Sequence, residues 1–209
     1  MPTIAVLGTL DTKGREHAYV AEVIRSLGHE ALLIDAGTTD RPQVAPDIRV
    51  TEILPGFSRP ADRGSCIAEV CAAMPAFAEK LAASGRIEAV ISLGGGGGTS
   101  IATAAMRALP LGMPKVMVST LASGNTAHYL GTSDITMMPA VVDVAGLNRL
   151  SRAVFRAAAH AVCAMAAARA SNQNGGGESD GEKPLVVASM FGNTTACVEA
   201  AKAQVERRV

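Results

Sequence analysis

The chain has 209 residues, 48% apolar and 18% charged, with 19 basic side chains against 19 acidic ones. That is too apolar and too weakly charged for a disordered chain, and a net charge of zero leaves no electrostatic footprint for nucleic acid. Aromatics are 3%, with no tryptophan, so the core is expected to be Ala, Val, Ile, Leu and Met, without stacking platforms for single strands.

No membrane span is expected. The longest Ala-rich stretch, 157–168, contains His160 and is flanked by Arg156 and Arg169, short of the ~18–20 uninterrupted apolar residues required. The N-terminus lacks a basic region followed by an apolar one, so no leader peptide is expected. Cys66, Cys71, Cys163 and Cys197 form no C-x-x-C pair and read as buried thiols of a reducing cytoplasm.

In chain order, residues 3–7 (TIAVL) read as a buried strand ending at Gly8. A helical period follows over 13–27, closed by Gly28, and a second strand covers 31–34. This β-loop-α-turn-β pattern implies parallel strands. Residues 36–63 carry Pro42, Pro46, Pro55 and Pro60, so a long loop is expected, with a short strand or extended edge over 47–53. The helical period returns at Ser65, with Pro75 expected to kink it and Gly85 to end it. Strands are expected at 88–93, 115–119 and 134–138, and helices at 101–109 and 144–169. Residues 171–183 contain no apolar side chain and read as a linker. Residues 185–190 (LVVASM) then read as a strand, followed by a helix. A lone βα unit cannot bury its own faces, so 184–209 is expected to open a second α/β domain that the chain cuts short, after a first domain over 1–170. The fold expected is a Rossmann- or flavodoxin-like parallel sheet with helices on both faces.

Ligands of such sheets bind beyond the carboxyl ends of the strands. Three loops there have suitable composition. In the first, Thr9, Asp11, Thr12 and Lys13 combine hydroxyls, a carboxylate and a cation before a helix, where amides favour an anion. Alternatively Asp11 or Thr12 simply starts that helix. The second is the run Gly94 to Gly98 before Thr99. It has no lysine where a Walker A motif requires one. Yet five glycines are costly in chain entropy, and exposed amides there can line an anion pocket; close packing is the alternative. The third, Ser119 to Thr126, includes Ser123, Gly124 and Asn125 and suits hydrogen bonding or a plain turn. His17, His29, His128 and His160 show no metal spacing, and only His128 adjoins a candidate loop. Arg149, Arg152 and Arg156 read as a solvated helix face or a partner contact, and Met137-Met138 as core or interface. No G-x-S-x-G elbow occurs.

GTLDTK, ADRG at 61–64, GGGGGTS at 94–100, KVMVSTLASGNT at 115–126, DITMM at 134–138 and VVDVAGLNRLSRAV at 141–154 form an ordered series. The series resembles the ATP-binding proteins related to the tomato mosaic virus resistance protein, the Tm-one-like family. MFGNTTACV at 190–198 resembles the opening of that family's second domain. The resemblance implies ATP as ligand, in a full chain about twice this length. It implies a site at Thr9, Asp11, Thr12 and Lys13 and at Gly95, Gly96, Gly97, Gly98 and Thr99, with Ser123, Gly124 and Asn125 as a third wall. Asn193 and Thr194 would belong to the facing domain. Lys13 and the glycine amides would neutralise phosphates, and Asp11 would contact magnesium through water, or the ribose. A cytoplasmic, nucleotide-dependent binding module with at most slow hydrolysis is the main expectation, with a homodimer through the Ala-rich helix. Its rivals are an enzyme acting on a small phosphorylated or carboxylated metabolite at the same loops, and an oligomeric scaffold without a small ligand.

Overall fold

The computed structural model describes residues 1–39, 41–60, 62–174 and 186–207. Strands β1 (Thr3–Gly8), β2 (Glu30–Asp35), β3 (Ala89–Gly94), β4 (Lys115–Ser119) and β5 (Thr136–Pro139) form one sheet in the order β2-β1-β3-β4-β5. Every neighbouring pair is parallel. Side chains alternate across a strand, and β1 shows what that does here. Ala5 and Leu7 enter the core under α3 (Arg63–Ala83) and α4 (Gly96–Ala108), whereas Ile4 and Val6 enter the core under α1 (Leu10–Ser26) and α6 (Arg149–Asn174). Burial on both faces explains why the strands read as apolar runs without alternation. The architecture is the expected Rossmann-like three-layer α/β sheet.

Several boundaries differ from the expectation, each for a local reason. α1 begins at Leu10 instead of Lys13, because Thr9 O already accepts from Thr12 N and Lys13 N. Residues 50–53 form a short helix, α2 (Val50–Ile53), in place of a strand; only Ile48 pairs with β2, at Ile34. α3 starts at Arg63, capped by Asp62, whose Oδ2 accepts from Ser65 N at 2.8 Å. These hydrogen bonds from Ser65 hold the Asp62 carboxyl below its ordinary value. α3 continues through Pro75 as one helix. A short helix, α5 (Ala127–Leu130), sits in the loop after β4. α6 starts at Arg149, five residues later than its apolar period indicates. Gly146 has φ +82°, and Asn148 Oδ1 accepts from Leu150 N and Ser151 N as a cap. Residues 140–148 are therefore loop at the carboxyl edge of the sheet.

At the opposite edge, Lys115 is buried as the first residue of β4. Its Nζ donates to Pro110 O, Met113 O and Asp134 Oδ1. Burial pushes the Asp134 carboxyl up, but hydrogen bonds from Lys115 and Gly112 N, with the lysine charge, bring it below its ordinary value.

Met137 and Met138 are half-buried in β5. Cys66 and Cys163 are buried, and burial raises the Cys163 thiol to about 11. Cys71 is half-buried. Cys197 is exposed, contrary to expectation, because the helix that carries it buries none of its residues.

Contacts divide the chain into Met1–Ser171 and Asn172–Val209. In the second unit α7 (Thr195–Glu206) forms. Val186–Met190 has no strand pairing, although a strand was expected over 185–190. A strand needs a ladder partner, and among the described residues Val186–Met190 has none. Of the expected linker, residues 171–174 belong to α6; residues 175–183 lie outside the described residues, as does Leu185. No helix among the described residues is long and apolar enough to cross a membrane.

Candidate functional site

In the order β2-β1-β3-β4-β5, α1 leaves β1 toward one face and α4 leaves β3 toward the other. The crevice between the ends of β1 and β3 is the topological switch point, where open α/β sheets bind ligands. Both glycine-containing turns meet there.

The β1–α1 turn is occupied by the chain's own acids. Asp35, 2% exposed at the end of β2, accepts from Leu10 N at 3.1 Å and from Gly37 N at 2.9 Å. It therefore caps α1 from another strand. Burial raises its carboxyl above the ordinary value, and nearby Asp11 adds to this, while the two amides oppose it. Asp11 Oδ2 accepts from Thr38 N, Thr38 Oγ1 and Thr39 N, tying down the loop after β2. Asp11 Oδ1 is buried without a partner. Thr9 is buried and its hydroxyl lies 3.1 Å from that of Thr12, which is exposed. Lys13 is half-buried at a kink, with φ −129° and ψ 24° inside α1. Beyond it, Gln43 Oε1 accepts from Arg15 N.

The β3–α4 turn is bare. Gly95 is the N-cap, and Gly96, Gly97 and Gly98 form the first turn of α4, with Thr99 N donating to Gly95 O. The amides of Gly96, Gly97 and Gly98 have no acceptor among the described residues. The expected helix over 101–109 thus starts five residues early, on the glycines themselves. Packing accounts for part of the run. A Cβ on Gly97 would lie 2.7 Å from Ile67 Cδ1, and one on Gly94 would lie 3.1 Å from Gly98 Cα. Packing does not account for Gly96, where a Cβ would meet nothing within 4 Å.

His17 joins the two turns. It is fully buried, its Nδ1 lies 2.7 Å from Lys13 O, and its Nε2 accepts from Leu93 N at 3.3 Å. Those partners fix the proton on Nδ1. Burial lowers its pKa, so the ring stays neutral. Gly8 makes room for it, since a Cβ there would lie 2.0 Å from Nε2.

Beyond β4, Ser119 is buried and shares a 2.8 Å hydrogen bond with Thr99, coupling this strand end to the glycine turn. Ser123, Gly124 and Asn125 are exposed, and Asn125 Oδ1 accepts from Ala127 N in a local turn. His128 is exposed and packs on Tyr129. Arg149, Arg152 and Arg156 are exposed, with Arg152 stacked 4.9 Å over the Tyr19 ring. Among the described residues, no group of three His, Cys, Asp or Glu side chains could hold a metal ion.

The Uncharacterised protein family (UPF0261) N-terminal domain matches residues 2–171. The chain belongs to this family. A UPF0261 protein of Rhizobium meliloti is 47% identical over 207 residues, covering 96% of this chain and 49% of that protein. One from Clostridium tetani is 42% identical over 210 residues, covering 97% and 50%. The tomato ToMV susceptible protein tm-1(GCR26) is 33% identical over 223 residues, covering 96% of this chain and 29% of that protein. The chain spans about half the length of the bacterial UPF0261 relatives named here.

The UPF0261 domain brings Thr9 to Lys13 and Gly95 to Thr99 to one crevice, with Ser123 to Asn125 on the β4 side. Asp35, His17 and residues 139–143 also belong to this edge, and none of them was given a role in the site from sequence; Thr120 lies within the third loop. Asp35 carried one signal, an acid closing a buried strand. Residues 140–143 carried none, because the apolar VVDV run reads as an approach to a helix.

Proposed function

We propose that this UPF0261 domain binds ATP at the β1/β3 crevice and acts as a nucleotide-dependent binding module. The observation that carries the reading is the bare first turn of α4. Its amides lack acceptors, and Gly96 is open where packing asks for no glycine. Such a turn stabilises a phosphate through its N–H groups and the helix dipole.

The residues fit the triphosphate. The amides of Gly96, Gly97 and Gly98 would hold phosphate oxygens, with Gly95 and Thr99 bracketing the turn. Lys13, at the kink across the crevice, would supply the positive charge. Thr9 and Thr12 would offer hydroxyls, and Ser123, Gly124 and Asn125 would close the β4 side. A magnesium ion would take its inner contacts from phosphate and water, with the unpartnered Oδ1 of Asp11 as an outer contact. Magnesium would spread the phosphate charge. Among the described residues, no side chain at the crevice is poised as a general base or an arginine finger, so hydrolysis would be slow at most.

Calorimetric titration of ATP, with and without magnesium, into this chain and its Lys13→Ala variant tests the reading. Saturable binding that weakens ~10-fold or more in the variant is expected from loss of a charge-assisted contact. Absence of saturable binding to the unmodified chain overturns it.

A further inference from the structure

The carboxyl ends of β4 and β5 enclose a groove of about 360 Å³, within the ~300–1,000 Å³ of small-molecule sites. Its floor is Ser119, and its walls include Thr120, Ser123, Val141 and Asp143. It adjoins the glycine turn directly: Thr120 N donates to Gly94 O, and Thr120 Oγ1 lies 3.6 Å from where a Cβ of Gly95 would stand.

Resting on the nucleotide reading above, we infer that this groove takes the ribose of the nucleotide, with Asp143 accepting from the sugar hydroxyls. A phosphate on α4 leaves a nucleoside two directions. Toward β2 the chain's own contacts crowd the space, with Asp35 on Leu10 N, Asp11 on Thr38 and Thr39 and Gln43 on Arg15 N, and the cavity beside Asp35, Thr39 and Arg49 holds only about 30 Å³. Toward β5 the groove is open and presents the Thr120 and Ser123 hydroxyls and one carboxylate. A carboxylate beside a phosphate-binding turn is the chemistry that selects a vicinal diol.

The backbone supports an open groove. Val141 has φ +67° and is 77% exposed, and Val142 N donates to Ala140 O across it in a tight turn. A β-branched residue rarely adopts this conformation. The turn diverts the chain at the end of β5, so residues 141–143 form a wall and do not extend the strand.

The test is calorimetric titration of ATP and inorganic tripolyphosphate into the 209-residue chain and its Asp143→Asn variant, with circular dichroism to confirm folding. ATP is expected to bind ~10-fold more weakly to the variant, through loss of a charged acceptor, while tripolyphosphate binds both alike. Equal ATP affinity in both proteins, or equal loss of ATP and tripolyphosphate, overturns the ribose assignment and leaves the nucleotide reading standing. No saturable ATP binding to the unmodified chain ends both readings.

Discussion

The β1–α1 and β3–α4 turns are built on the same plan, a buried strand, glycine and a helix N-terminus, yet they end in opposite electrostatic states. α1 is capped by a carboxylate from β2, and a second carboxylate sits one residue into it. α4 has no acid in its first turn and no side chain on its N-cap. The difference teaches that composition alone does not mark an anion site. The turn with the lysine and the threonines has its leading amide filled, while the turn with no functional side chain keeps its amides available. Under the proposed reading, Lys13 faces the crevice from one turn while the phosphate-binding amides come from the other.

The largest expected effect comes from separating the turns at the residue that spans them. Gly8→Ala drives a methyl into the His17 ring and should cost about 3 kcal/mol by overpacking. The urea midpoint measures this. In a Gly8→Ala, His17→Ala double variant the loss should fall well short of the two single losses added together, because the clash is gone. Additive losses would show that the ring and the glycine are not one unit.

The next effect tests the cap. Asp35→Ala leaves Leu10 N and Gly37 N without their buried acceptor and should cost about 2 kcal/mol, whereas Asp35→Asn keeps an acceptor and should cost less. The pH dependence carries the sharper signature. The Asp35 carboxyl is raised above its ordinary 3.8. The folded state therefore holds that proton longer than the unfolded chain, and this group removes stability as pH rises from 3.8 through the raised value. Wild type should accordingly gain on Asp35→Asn as pH falls through that window. Asp134 lies below its ordinary value, so its contribution is present above 3.8 and lost as pH falls through the lowered one. Wild type should lose ground to Asp134→Asn there. Denaturant midpoints across the acidic range check both slopes, and slopes of the same sign would contradict the opposite environments assigned to the two acids.

The smallest effect isolates the bare turn. Gly96→Ala adds a methyl to open space and should stabilise α4 by about 0.5 kcal/mol, raising Tm slightly, while crowding the ligand and lowering ATP affinity. A variant that is more stable and binds ATP equally well would remove Gly96 from the site.

Much of this was legible in the sequence. β1, β2 and β3 could be read because they are largely buried on both faces and end in Gly or Asp. The three loops could be read because their order along the chain follows the strand order. What escaped depended on distant partners. Asp35 caps a helix 25 residues earlier, and nothing local marks it for that. The start of α6 was misplaced because Val144 and Leu147 are apolar at helical spacing but pack from a loop; only the φ of Gly146 and the Asn148 cap reveal the true beginning. The glycines hid a helical turn because their low helix propensity is offset by packing of α4 on α3. The end of the chain looked like a strand because an apolar run specifies a strand only when a neighbouring strand is there to pair with it.

The absent side chain of Gly8 and the imidazole of His17 are one shape divided between two positions. Neither can drift alone: any side chain at position 8 requires a smaller group at 17, and a smaller group at 17 takes the imidazole from both Lys13 O and Leu93 N. Substitutions at the two positions should therefore travel together through the descent of this family. A sequence that keeps the glycine but has lost the ring should also show a relaxed kink at 13.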